Sequence, residues 1–478
     1  MALSENLKEG ENSFRDKITT VDEKGKRIWI YPKKPSGKFY SRRKIASYLL
    51  LVLLFGGPFV KIGGEPLLML NVVTRKFVFF GQVFWPQDFY LAALTFIIFL
   101  VSIILFTVIF GRLFCGWVCP QTIFMEMIFR RIEYWIEGDA NAQKKLNIAR
   151  WNEEKIKKKT LKHFLFILIS FLISNVFLAY IIGYEELFKI IQDDASAHKF
   201  GLLALLIFTF IFYGVFAFFR EQVCTNVCPY GRLQGVLLDR DTFNVTYDYK
   251  RGEPREKLNE KLNQSLHKDA PPKSDCVDCS LCVQVCPTGI DIRNGTQLEC
   301  VNCTACMDAC DEVMLKIHRP KGLIRYASEN SIDKGIPFKL SIRGKAYTAL
   351  LLVLITVFSI IVANRSSVEL NILRAYGTTF QVREDGSYLN IYKFRLLNKT
   401  NKKQNMTFKI LNVPAKLEVV SGGNVAINPY QQKEGSLLIS LDEKDLTGLK
   451  TELILGVYLD GELVKEEEVY FSGPFKFK

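Results

Sequence analysis

The chain has 478 residues, of which 49% are hydrophobic, 13% aromatic and 23% charged, with a net charge of +14. It is too apolar for a plain soluble protein and too charged for a pure membrane bundle, and its length suggests about two to four folding units. The basic excess does not mark a nucleic-acid binder, because the Lys and Arg residues flank apolar spans.

The N-terminus is polar and of mixed charge for over 40 residues, without the short apolar stretch and cleavage site of a signal peptide. Five later segments have the length and composition of membrane helices, which need about 20 apolar residues. They lie at 45–63, 89–113, 162–183, 199–219 and 345–363. The first carries Pro58 and Lys61 near its end. Orientation follows from the Lys/Arg excess on the inner side. Residues 33–44 hold Lys33, Lys34, Lys38, Arg42, Arg43 and Lys44 and no acid, and residues 114–161 hold nine Lys or Arg. The 184–198 loop sets Lys189 against Glu185, Glu186, Asp193 and Asp194. The N-terminus and the 220–344 segment are therefore expected inside, and the C-terminal segment outside. The 64–88 stretch, broken by Thr74, Arg75 and Lys76, reads as an interfacial hairpin, with Trp85 and Tyr90 in the aromatic belt.

All twelve cysteines lie between 115 and 310, and the last 168 residues have none. Two pairs sit at the ends of apolar spans, in CGWVCP at 115–120 and CTNVCP at 224–229. At spacing i, i+4 each pair is expected on one helix face, with proline ending or kinking the helix. Packing residues or a redox disulfide are alternatives, but the recurrence favours a soft site at the inner ends of two spans. Cys115, Cys119, Cys224 and Cys228 are candidate ligands for Cu(I), the ion that thiolates select. Haem is disfavoured, because only His163 and His198 lie near spans and they sit at opposite faces.

Residues 240–275 read as a polar linker or short helix. CVDCSLCVQVCP at 276–287 is the bacterial ferredoxin run C-x2-C-x2-C-x3-C-P, and CVNCTACMDAC at 300–310 repeats it with Asp311 in place of proline. In two-cluster ferredoxins the fourth cysteine of each run ligates the other run's cluster. Cys276, Cys279, Cys282 and Cys310 are thus assigned to one [4Fe–4S] cluster, and Cys300, Cys303, Cys306 and Cys286 to a second. Zinc also binds C-x2-C pairs, but two matched four-cysteine runs favour iron–sulfur. Residues 365–478 alternate apolar and polar positions between turn signals, as an antiparallel sandwich does.

The fold class expected is a multi-domain membrane protein: a five-helix transmembrane bundle, a bacterial-type two-cluster ferredoxin domain and an immunoglobulin-like β-sandwich. Its parts are a cytoplasmic segment 1–44, a four-helix membrane region 45–240 and a cytoplasmic linker and ferredoxin domain 241–344. A fifth transmembrane helix 345–364 and a periplasmic domain 365–478 follow.

GRLFCGWVCPQT, FREQVCTNVCP, VTYDYKRGEPRE and CVQVCPTGIDIR together resemble the FixG/RdxA/CcoG accessory proteins of cbb-type haem–copper oxidases. The resemblance covers essentially the whole chain. It implies an inner-membrane protein of a bacterium with a C-terminal immunoglobulin-like domain. It also implies a role in oxidase biogenesis as a cupric reductase, taking Cu(II) to Cu(I) for copper chaperones and oxidase assembly factors or subunits. Cys115, Cys119, Cys224 and Cys228 then become copper ligands. The alternative is a quinol-linked electron conduit, or a redox-sensing assembly scaffold, without a copper site. No G-x-G-x-x-G fingerprint is present, so the electron donor is expected to be a separate molecule, and no nucleic-acid partner is expected.

Overall fold

In a computed structural model of the chain, the described residues are 20–474 except 23, 73–75, 80, 85–88, 195, 258–273, 336, 338, 365–367, 376, 378, 401, 421–424 and 460. Trp85 and residues 258–273 of the expected 240–275 linker lie outside them. The chain divides into two compact units, residues 1–60, 66–77 and 85–358, and residues 61–65, 78–84 and 359–478.

In the first unit, helix α1 (Lys38–Gly56) starts at Gly37, whose φ is 133°. A Cβ there would collide with the Asp308 side chain. Asp308 accepts the backbone N–H groups of Phe39 and Tyr40 at 3.1 and 2.7 Å, capping α1 from a distant part of the chain. The helix ends seven residues before the expected span 45–63 does, since Gly57 and Pro58 follow and Lys61–Ile62 is extended. Its 19 residues include Lys38, Arg42, Arg43 and Lys44.

Among the described residues, four helices are long and apolar enough to cross a membrane: α2 (Phe89–Phe110), α3 (Glu153–Ile182), α4 (Lys199–Gly214, continued as a π-helical turn to Phe219) and, after α5 (Pro229–Leu237) and α6 (Ala305–Lys316), α7 (Ile342–Ala363). The count differs from the five expected because the first turns of α1 carry four basic residues, Lys38, Arg42, Arg43 and Lys44. Helix α3 begins nine residues before the expected span at 162. Asn152 accepts the Lys155 N–H, and Glu153 and Glu154 occupy the positive first turn. Where the N-terminal half of α3 meets the C-terminal end of α4, Phe129 stacks on Phe216 with centroids 4.5 Å apart and meets Phe166 edge-on at 4.8 Å. The 64–88 stretch contains the short strands Leu68–Asn71, Lys76–Phe79 and Gln82–Phe84. Strands β1 (Asn244–Tyr247) and β2 (Ile324–Ala327) pair antiparallel and flank the cysteine runs.

The second unit holds two antiparallel sheets. With β3 (Val368–Arg374), β4 (Tyr388–Asn398), β5 (Gln404–Ile410), β6 (Lys416–Val419), β7 (Val425–Ile427), β8 (Gln432–Leu441), β9 (Lys450–Leu459) and β10 (Glu462–Ser472), the strand orders are β6-β8-β4-β3 and β7-β5-β9-β10. Alternate side chains face a shared core that includes Leu370, Phe394, Leu396, Met406, Leu437, Leu455 and Phe471. Phe394 lies opposite Gly435 in register, and a Cβ at Gly435 would strike its ring.

Candidate metal centres

Both ferredoxin runs fold alike. Asp278 and Ser280 in the first, and Asn302 and Thr304 in the second, have φ of 45°, 54°, 53° and 67°. These left-handed turns are tolerated by Asp and Asn and are uncommon for Thr, so Thr304, fully buried, marks a constrained functional loop. A short helix (Leu281–Gln284) and the longer α6 follow the two loops. Two cavities of about 360 and 350 Å³ result. The first is lined by Cys276, Cys279, Cys282 and Cys310; the second by Cys286, Cys300, Cys303 and Cys306, with Cys282 at its edge. The structure thus brings together both sets of four expected from spacing. Cys310 joins the first run because α6 carries it back across the domain, and Cys286 joins the second.

The donor set fits a polynuclear cluster. No three His, Cys, Asp or Glu side chains among the described residues converge as they would around one metal ion, where metal–sulfur bonds are about 2.3 Å. The thiols instead ring cavities walled by apolar groups such as Val277, Leu281, Val301 and Ile290. Burial pushes the Cys282, Cys300 and Cys310 thiols up to about 12 and Cys303 to about 11. Iron binding must therefore displace thiol protons.

The paired cysteines are not on single helix faces. Leu113–Trp117 is one helical turn, Cys119 has ψ of 123°, and Pro120 begins the next helix. Likewise Cys228 has ψ of 112° and Pro229 begins α5. Proline forces the residue before it into extended backbone and suits the first helical position. It therefore starts a helix here rather than ending one, and each cysteine pair straddles a corner. All four thiols still share one neighbourhood. Cys115 donates to Gln234 Oε1 at 3.1 Å. Burial pushes Cys115 up to about 11, with Arg112 opposing and Cys119 and Cys228 adding. Burial, with Cys119, Cys115 and Cys228 adding and Arg112 opposing, pushes Cys224 up to about 12.

Cys115 of the first pair packs against the loop that lines the second cavity. Cys115, Val285, Val301, Cys303 and Ala305 form one buried apolar cluster. Gly116 lies so close to the Val301 and Asn302 backbone that a Cβ would collide with it. Trp117 Nε1–H donates to Asn302 O at 3.3 Å, and Arg43 Nε–H donates to Gly116 O at 2.7 Å. The glycine of CGWVCP is the sequence signal for this contact.

A buried ion network, not foreseen from sequence, holds the second pair. Arg220 has φ of 53° just before CTNVCP and donates to both Glu133 carboxylate oxygens at 3.0 and 2.8 Å. Arg130 pairs with Glu126 and with Glu221, the latter at 3.5 Å. Lys162 and Lys159 pair with Glu137 at 2.9 and 3.0 Å. A cavity of about 350 Å³ lies among Glu126, Arg130, Glu221, Cys224, Thr288 and Val301. His163 is not a free ligand: its Nδ1 is 2.9 Å from the Tyr213 hydroxyl.

Residues 219–329 match a family model described as a 4Fe-4S dicluster domain, and residues 92–140 one described as a 4Fe-4S binding domain. Residues 358–474 match an IG-like fold at the C-terminus of FixG. The first match spans both ferredoxin runs with Cys224 and Cys228; the second spans Cys115 and Cys119. The chain is 36% identical over 394 residues to protein RdxB of Cereibacter sphaeroides, covering 78% of this chain and 80% of that protein. It is 33% identical over 393 residues to RdxA of the same organism, covering 77% and 79%. It is 31% identical over 435 residues to the nitrogen fixation protein FixG of Rhizobium meliloti, covering 83% and 82%. The chain therefore belongs to the FixG/RdxA family of iron–sulfur redox proteins.

Proposed function

We propose that this protein is a membrane-bound cupric reductase serving cbb-type oxidase biogenesis. The observation that carries the reading is the buried contact of Cys115 and Gly116 with the Val301, Asn302 and Cys303 loop. Cys276, Cys279, Cys282 and Cys310 would hold an outer [4Fe–4S] cluster, and Cys286, Cys300, Cys303 and Cys306 an inner one. Such clusters supply single-electron carriage. Cys115, Cys119, Cys224 and Cys228 bind the copper substrate. Cu(II) gains one electron, the external donor loses one, and thiolate ligation favours the Cu(I) product. The apolar packing around Cys115 keeps water from the contact, and the Arg220–Glu133 pair fixes the corner that presents Cys224.

In this reading α1 and the four longer helices anchor the chain in the inner membrane of a bacterium. Residues 1–44 and 241–344 face the cytoplasm, and 365–478 the periplasm; copper chaperones and oxidase assembly factors or subunits would receive the product. The test is copper and iron content of the purified protein. Replacing the four paired cysteines by Ser should abolish most copper binding and leave about eight irons per chain, two cubes of four. A second reading is favoured by the match of residues 92–140 to a 4Fe-4S binding model. There the four thiols hold iron, and the wild type carries about twelve irons, falling to about eight in the variant.

A further inference from the structure

Two buried arginines near the inner cavity have no carboxylate partner. Arg43 and Arg112 are 1% and 3% exposed. No Asp or Glu among the described residues lies within ion-pair distance of either. Among the described residues, each donates to a neutral group: Arg43 Nε–H to Gly116 O, and Arg112 Nε–H to Gln234 Oε1 at 3.0 Å. Arg43 Nη2 is buried with no hydrogen-bond partner. A buried charge without a counter-charge is costly, and folded proteins pair such groups. Of the other buried cations, Arg130, Arg220 and Lys162 are paired with glutamates, while Lys155 donates to the Asn147 and Ala149 carbonyls.

Both guanidinium groups sit beside the inner loop. Arg43 bonds the carbonyl of Gly116, which abuts the Val301–Asn302 backbone next to Cys303, and Arg112 shares Gln234 Oε1 with Cys115, which packs in one buried cluster with Val301 and Cys303. Glu126 also reaches Cys303, but Arg130 holds it in an ion pair. The outer set differs. Arg293 lines its cavity but pairs with Asp291 at 2.7 Å and with Asp278, so its charge is already matched. Cys279 of that set is exposed, whereas Cys303 is buried.

We propose that Arg43 and Arg112 are the counter-cations of the inner cluster, so that its anionic, cysteine-ligated form is their missing ion-pair partner and its midpoint potential is set by them. This rests on the two-cluster assignment above. One-electron reduction makes the cluster more negative, and fixed cations favour that state, whereas burial alone disfavours it. The two arginines thus offset burial at the inner position, and Arg293, already neutralised, does not do so at the outer one. If the arginines served only to bond Gly116 and Gln234, replacing them would change stability and leave the potentials alone.

The test is redox titration of the intact protein in detergent, poised with dithionite as the one-electron source and read by electron paramagnetic resonance. The variants are Arg112→Gln, Arg43→Gln, the corresponding Lys variants and Arg293→Gln. In each of Arg112→Gln and Arg43→Gln, one of two cluster signals should move to a lower midpoint by about 59 mV or more, a tenfold change in a one-electron equilibrium. The other signal should stay. Lys should restore most of the shift, and Arg293→Gln, its charge already matched by Asp291 and Asp278, should leave the other signal in place. Unmoved midpoints in the Gln variants with iron intact would overturn the proposal, as would Lys variants shifted as far as Gln. If Gln variants lose iron, retention in the Lys variants supports the counter-charge and loss in both overturns it. A wild type with no cluster signals would defeat the two-cluster assignment itself, a distinct outcome.

Discussion

Replacing Gly116 by Ala tests the contact between the CGWVCP corner and the inner cysteine loop. A Cβ at this position meets the Val301 carbonyl oxygen and the Asn302 backbone, neither of which can swing aside like a flexible side chain. Overpacking of this kind costs about 1–3 kcal/mol. Alanine returns up to about 1 kcal/mol in helix propensity, but the turn Leu113–Trp117 is only five residues long. The net expectation is a loss of about 1–2 kcal/mol. The loss would be accompanied by separation of Trp117 from Asn302 and of Arg43 from Gly116, hydrogen bonds now at 3.3 and 2.7 Å. Gly214→Ala is the control, because a Cβ there meets nothing within 4 Å. The assays are thermal unfolding in detergent and stopped-flow reoxidation of the reduced protein by Cu(II). Gly116→Ala should melt lower and reoxidise more slowly, and Gly214→Ala should do neither. A Gly116→Ala protein with wild-type melting and wild-type reoxidation would refute the contact.

Glu133→Gln leaves Arg220 buried without its full partner, and loss of a buried pair costs about 3–5 kcal/mol; a denaturant titration should show it, with the double variant Glu133→Gln, Arg220→Gln recovering part of the loss. Acid should weaken the first unit through Asp291 and Glu137. Burial raises both, but Arg293 for Asp291, and Lys162 and Lys159 for Glu137, more than compensate and hold them below the ordinary range. Their contribution is present above the unfolded carboxyl values of about 3.9–4.3 and is lost as pH falls through the folded ones, so a melting series should decline only on the acid side. Leu455→Ala removes a fully buried side chain from the sandwich core and should cost about 2–5 kcal/mol, read as a lower melting transition of β-structure with cluster absorbance unchanged.

The most legible parts of the chain were those where spacing is dictated by chemistry or by period. In two-cluster ferredoxins each run lends its last cysteine to the other cluster, which grouped the cysteines into two sets of four; one cavity is lined by the first set and the other by the second, with Cys282 lining both. Period-two alternation gave the sandwich, because each strand there has one buried face. The Cys-Pro corners were misread because the i, i+4 rule holds only within one helix, and the residue before proline leaves it. Arg43 illustrates a second limit. It counts toward the basic run that orients the N-terminus, yet it is buried against Gly116. Nothing in local sequence pairs Arg220 with Glu133, 87 residues away, or β1 with β2; those contacts arise only when the helices and the cysteine loops pack.

The most direct measurement is absorbance-monitored reoxidation of the reduced clusters on adding Cu(II), in the wild type and in the variant with Cys115, Cys119, Cys224 and Cys228 replaced by Ser. The expected result is rapid bleaching reversal with Cu(I) formed in step in the wild type, and a loss of at least about tenfold in rate in the variant, equivalent to about 1.4 kcal/mol of barrier. Equal rates in the two proteins, or reoxidation by a quinone but not by copper, would contradict the assignment of these thiols to copper reduction.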